Sequence, residues 1–181
     1  RAARSLIDLA RRRPELFTSE QIPGIIEAAQ TNGGAAEALR NLANGRPELF
    51  TLEQIPGTIE LAKTNAYAAW ALRELAERRP ELAPQIITGL IEAAVTNEGI
   101  VRALADLAGG CPELFTPEQI PGMIELAKTS GGASRALAAL VERRPELAPQ
   151  IIPGLVEVAK TNGEAARVLA DLFEKRPDLR D

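Results

Sequence analysis

Apolar residues along the chain fall into columns that return at a fixed interval. One set, Ile22, Ile55, Ile87, Ile120 and Ile152, is followed four residues later by Ile26, Ile59, Ile91, Ile124 and Val156. Residues at i and i+4 share one side of an α-helix, so each stretch predicts a helix with an apolar stripe, helix A. A second set, Leu39, Leu72, Leu104, Leu137 and Leu169, is followed three residues later by Leu42, Leu75, Leu107, Leu140 and Leu172. It predicts a second helix, helix B. Ala38, Ala71, Ala103 and Ala136 lie beside these leucines and are small enough for close helix packing. The opening stretch Ala2 to Arg12 reads as a helix B without its helix A, with Leu6 and Leu9 in the leucine columns.

Polar punctuation separates the stripes. Pro-Glu-Leu recurs at Pro14, Pro47, Pro80, Pro112 and Pro145, with Pro-Asp-Leu at Pro177, and these prolines are 33, 33, 32, 33 and 32 residues apart. Proline suits the first position of a helical turn, and an acidic residue beside it complements the turn's positive end. Thr18, Thr51 and Thr116, each with glutamine three residues on, read as capping boxes opening helix A. A proline then follows in four copies, Pro23, Pro56, Pro121 and Pro153, with Thr88 in the other. It must occupy the first turn or kink the helix. The Thr-Asn pairs at Thr31, Thr64, Thr96 and Thr161, and Thr129-Ser130, stop helix A as caps or left-handed residues. Two copies are shorter. Phe-Thr-x-Glu-Gln, which begins with Phe17, Phe50 and Phe115, becomes Ala-Pro-Gln at Ala83 and Ala148, which predicts a local repacking of the connecting turn.

A period of 32–33 residues is the signature of a solenoid, whose units bury their apolar faces only against neighbours. The predicted fold is all-α: a right- or left-handed α-solenoid of helical-hairpin repeats, each with a short proline-led turn. The array reads as one continuous domain, 1–181. It comprises a partial repeat 1–12, repeats 13–45, 46–78, 79–110, 111–143 and 144–175, and a partial repeat 176–181. A start in mid-repeat without Met points to a fragment, a trimmed chain or an engineered array.

Composition narrows the chemistry. Apolar residues make up 45% of the chain but aromatics only 3%, so the core is built from Leu, Ile, Val and Ala. The single Cys111 excludes a disulfide framework and points to a reducing compartment, such as the cytoplasm. With no histidine there is no Cys/His nucleophile, and one thiol cannot hold zinc. No glycine loop has phosphate-binding spacing. The chain is therefore expected not to be an enzyme and to need no cofactor or metal. No run is long enough to span a bilayer.

In a repeat array, surface columns are the natural candidate sites. The first opens helix B: Arg4, Glu37, Trp70, Arg102, Arg135 and Arg167. Neighbours in it should lie about 10 Å apart, the spacing of packed helices. Arginine and tryptophan are typical interface anchors. The plainer reading is a solvated face, with Asp8, Asp106 and Asp171 at i+4 supplying intrahelical ion pairs. Tyr67 and Trp70, the only tyrosine and tryptophan, are three residues apart and give a sharper lead. A glutamate column on helix A, Glu27, Glu60, Glu92, Glu125 and Glu157, has Lys63, Lys128 and Lys160 at i+3 to neutralise it. Basic ends of helix B, such as Arg78-Arg79 and Arg143-Arg144, complement the helix dipole.

The two helices with a proline-started turn resemble armadillo and HEAT repeats. The order Pro-Glu-Leu-Phe, Ile-Pro, Gly, then a helix ending in Arg-Pro is similar to repeats of the mitochondrial transcription termination factor family. Asn32-Gly33-Gly34, Ala38-Leu39 and Pro47 are spaced as in the second helix of TAL-effector repeats. The last two resemblances imply DNA binding. On that basis Asn32, Asn65, Asn97, Ser130 and Asn162 would face bases, and Glu37, Trp70, Arg102, Arg135 and Arg167 would lie near phosphates. The leading expectation from the residues is a non-catalytic scaffold that binds a protein or peptide along a groove lined by helix B. Arg4, Tyr67, Trp70, Arg102, Arg135 and Arg167 would make the contacts. The alternatives are DNA binding and an engineered consensus array without a natural ligand. Exposed end helices also predict end-to-end self-association, and no membrane partner is expected.

Overall fold

A computed structural model of the chain describes residues 2–179. The fold is all-α: among the described residues there are eleven α-helices and no strand. They are α1 (Ala2–Arg12), α2 (Ile22–Ala29), α3 (Gly33–Gly45), α4 (Ile55–Ala62), α5 (Ala66–Arg78) and α6 (Ala83–Ala93), followed by α7 (Glu98–Gly110), α8 (Ile120–Ala127), α9 (Gly131–Arg143), α10 (Ala148–Ala159) and α11 (Gly163–Lys175). Each Pro-Glu-Leu or Pro-Asp-Leu is a three-residue 3-10 turn.

The chain divides into two compact units, Arg1–Ile100 and Val101–Asp181. In the first, α1 packs on α3 and α3 on α5, while α2 and α4 cover α3 and α5 and α6 closes against α4 and α5. In the second, α8 packs on α9, α10 on α8 and α11, and α11 on α9. The leucine columns of helix B are fully buried from Leu39 and Leu42 through Leu140, as their spacing predicts. The isoleucine columns divide. Ile22, Ile55, Ile87 and Ile120 are buried, whereas Ile59 and Ile124 are half-buried and Val156 is exposed. A further core column, Ile25, Thr58, Leu90, Met123 and Leu155, is buried throughout. The hydroxyl of Thr58 donates to the Gln54 carbonyl at 2.9 Å, which makes its burial tolerable.

The half-buried isoleucines have a specific seat. A Cβ at Gly89 would fall on Ile59 Cδ1 and 3.2 Å from its Cγ1. At Gly154 it would fall on Ile124 Cδ1, and 2.9 and 3.0 Å from Cγ1 and Cγ2. At Gly57 it would meet Ile26 Cγ2 at a comfortable 3.6 Å. Glycine thus permits one helix A to approach the next. Gly24, in the first helix A, has nothing within 4 Å of its Cβ position.

Capping boxes form at Thr18, Thr51 and Thr116, as predicted. The short copies also have a simple geometry. Phe17, Phe50 and Phe115 are buried with extended backbones, and each turns a corner between two 3-10 turns before an eight-residue helix. Ala83 and Ala148 are helical instead, so the proline-led turn runs straight into α6 and α10, of 11 and 12 residues. Deleting the extended corner is what lengthens the helix. Pro153 consequently lies inside α10, whereas Pro23, Pro56 and Pro121 lie in first turns.

One expectation is corrected. No residue among those described has a positive φ, so the Thr-Asn stops are not left-handed caps of helix A. Asn32, Asn65 and Asn162 are extended N-caps of helix B, with φ near −132°, −136° and −120°.

Candidate functional site

The exposed stripe of helix B follows from its core stripe. In α5, Ala68, Ala69, Ala71, Leu72, Leu75 and Ala76 are buried, which leaves Tyr67, Trp70, Arg73, Glu74 and Glu77 on the other side. In α3 the same partition leaves Glu37, Arg40, Asn41 and Asn44. On α1, Arg4, Asp8 and Arg11 are exposed at i, i+4 and i+7 and share a face.

Trp70 is half-buried at the centre of this surface. The Tyr67 ring meets it edge-on, with centroids 5.5 Å apart and planes at 87°. The guanidinium of Arg40, from α3, stacks over the indole at 5.2 Å. Beside this trio the charges of α5 are locally paired. Arg73 pairs with Glu74 at 2.7 Å and with Glu77 at 3.8 Å, and Arg78 donates to Asn44 Oδ1 at 2.6 Å. The structure therefore joins Tyr67 and Trp70, which the sequence singles out, to Arg40, which stands outside the candidate columns. The available signal was register: Arg40 aligns with Arg73 and opens toward the helix that carries Trp70.

In the second unit, Arg135 and Arg167 are exposed and converge on one carboxylate, Glu164, at 3.0 and 2.9 Å. The Arg167 hydrogen bond, with help from Arg135, holds the Glu164 carboxyl below its ordinary range. Lys175 pairs with Glu142 at 2.9 Å across the same two helices. Between them lies a shallow cavity of about 230 Å³ floored by Ala138, Ala139 and Val168. The expected intrahelical partner of Arg167, Asp171, acts on it only at a distance, because Glu164 sits closer. Arg102 is exposed on α7. Glu60, Glu125 and Glu157 are exposed and paired with Lys63, Lys128 and Lys160 at 2.5, 2.6 and 2.5 Å, as the i, i+3 spacing predicts.

The loop asparagines are committed to the fold. Oδ1 of Asn32, Asn65, Asn97 and Asn162 accepts an N–H from the start of helix B at 2.7–3.0 Å. Nδ2 of Asn97 also donates to the Ala62 and Lys63 carbonyls at 3.1 and 2.9 Å, and Nδ2 of Asn162 to those of Ala127 and Lys128 at 3.1 and 3.4 Å. Ser130, too short to repeat this, is buried with its hydroxyl unpartnered.

The arginines before Pro-Glu-Leu are also structural, which the helix-dipole reading did not capture. Arg46 Nη1 donates to the Pro14 carbonyl at 3.4 Å. Arg79 Nη1 donates to those of Pro47 and Phe50 at 3.1 and 3.2 Å, and Arg144 Nη1 to those of Pro112 and Phe115 at 3.2 and 2.6 Å. Each also holds the glutamate two residues on, Glu48, Glu81 or Glu146. Such an arginine staples one proline turn to the preceding one. Cys111 takes the arginine's place in one copy and is half-buried.

Among the described residues no group of His, Cys, Asp or Glu is placed to hold a metal ion, and no helix is long and apolar enough to cross a membrane. No protein-family model matches the chain, and no curated protein or solved structure is significantly similar to it.

Proposed function

We propose that the chain is a non-catalytic α-solenoid scaffold of 32–33-residue hairpin repeats that binds a peptide or an extended segment of a partner protein along its helix-B face. The observation that carries the reading is the aromatic cluster. Tyr67 and Trp70 are the chain's only tyrosine and tryptophan, and both remain partly exposed on a helix whose other side is alanine and leucine. A rigid aromatic with a polar rim is what peptide-binding surfaces use as an anchor. DNA binding fits less well, because Asn97 and Asn162 commit their amide hydrogens to backbone carbonyls and Arg135 and Arg167 share a carboxylate.

The test is selection of short random peptides displayed against the immobilised full chain, with elution compared between the wild type and Trp70→Ala. Enriched peptides that release from Trp70→Ala, while its far-UV circular dichroism is unchanged, support the reading. Peptides that bind the variant equally well would retire this face. Salt-sensitive retention on duplex DNA, with a log–log slope of about −0.9 per phosphate contact, would replace it with the nucleic-acid alternative.

A further inference from the structure

Resting on that peptide-binding reading, we propose that Arg40, stacked on Trp70, is a carboxylate receptor, and that the segment this face fits is acidic: an aspartate or glutamate beside an apolar residue. The guanidinium lies over the indole, 5.2 Å from its centroid, a contact that restrains the flexible stem. Stacking leaves the N–H donors along the guanidinium edge free, and that edge matches a carboxylate in two-point geometry.

What distinguishes Arg40 is that its contact with the indole coincides with donors that hold no carboxylate. Arg46, Arg79, Arg144 and Arg176 each hold the acidic residue two positions on. Arg73 and Arg78 lie against Glu74, and Arg135 and Arg167 against Glu164. Among the described residues Arg40 makes no ion pair; its one polar contact is the indole face. Arg4 and Arg11 of α1, the helix packed on α3, are exposed and likewise outside any ion pair. Arg40 is thus the unengaged cation set against the one tryptophan, with Arg4 and Arg11 beyond it on the helix packed on α3. Tyr67 and Trp70 supply the apolar contact, and Arg40 supplies the charge that fixes register.

The acids on the same face select the ligand. Asp8 and Glu37 are not ion-paired either, and Glu37 stands one helical turn before Arg40. A polyanion such as a nucleic acid would meet both, together with Glu74 and Glu77. A peptide presents one carboxylate to Arg40 and turns neutral atoms toward Glu37. Glu37 therefore weakens an acidic ligand without forbidding it, which provides a second handle.

The experiment takes the displayed peptides enriched on the full chain, sequences them, and measures the affinity of the best one for wild type, Arg40→Gln, Glu37→Gln and Trp70→Ala. The expected result is a set rich in aspartate and glutamate, with affinity reduced about tenfold or more by Arg40→Gln and raised about threefold by Glu37→Gln. Trp70-dependent peptides that show no acidic excess and ignore both charge variants would overturn the acidic specificity while leaving the peptide-binding face intact. Enrichment without Trp70 dependence would remove both. Arg40-dependent retention of an oligonucleotide in place of any acidic peptide would overturn the proposal in favour of a nucleic-acid partner.

Discussion

Replacing Gly154 and Gly24 by alanine should have opposite effects on stability, although the two glycines occupy the same repeat position. In α10 the new methyl lands on Ile124, 2.9 and 3.0 Å from two of its carbons and closer still to Cδ1. Overpacking of this kind costs about 1–3 kcal/mol. The substitution also removes a glycine from a helix, which returns about 0.5–1 kcal/mol. The net is a loss of up to about 2.5 kcal/mol. At Gly24 the methyl meets nothing within 4 Å, so only the helix-propensity gain remains, and the variant should be more stable by up to about 1 kcal/mol. Urea unfolding followed by far-UV circular dichroism measures both. Because the clash is with one side chain, Gly154→Ala combined with Ile124→Ala should lose less than the sum of the two single losses. Gly154→Ala at least as stable as wild type, or strict additivity in the double variant, would refute the idea that glycine is there to seat an isoleucine.

Further consequences can be measured in the same way. Ser130→Asn should stabilise by about 0.5–2 kcal/mol, since the side-chain oxygen would accept the Gly132 N–H as its equivalents do in other copies and would relieve a buried, unpartnered hydroxyl. Arg144→Ala should cost about 1.5–3 kcal/mol through loss of the charged donor to the Pro112 and Phe115 carbonyls, and Arg144→Lys should recover only part of it; an unaffected urea midpoint would contradict the staple. Arginine hydrogen bonds hold the Glu81 and Glu146 carboxyls below their ordinary value of 4.5, so these groups contribute stability above that pH and lose it as the pH falls through their lowered folded values. Glu81→Gln with Glu146→Gln should therefore flatten the acid limb of the stability profile while leaving its dependence near neutrality unchanged.

The all-α fold and the positions of both helices were legible because their apolar spacing is helical and recurs. Capping boxes were legible for the same reason: threonine and glutamine three apart have a single mechanical use at a helix start. Other features depend on contacts between segments some thirty residues apart, which no local pattern displays. The arginine staples are of this kind, since the acceptors of Arg79 are carbonyls at Pro47 and Phe50 and every residue has a carbonyl. The extra core column was masked by Thr58, a polar residue whose hydroxyl bonds back along its own helix. For the asparagines the sequence leaves a cap and a left-handed residue both open, because the two roles use the same side chain. At the candidate site, Tyr67 and Trp70 stood out by rarity alone. Arg40 did not, because what marks it is the indole beneath it, which comes from the neighbouring helix.

Trp70 is the chain's only tryptophan, so its emission reports directly on the proposed face. The decisive measurement is a titration of the wild-type chain and Arg40→Gln with a selected acidic peptide, with Trp70 fluorescence and calorimetric heat read together. The prediction is a saturable fluorescence change whose midpoint matches the heat in the wild type and moves about tenfold or more higher in Arg40→Gln. Heat of binding with unaltered Trp70 emission would place the ligand elsewhere on the molecule and contradict the account.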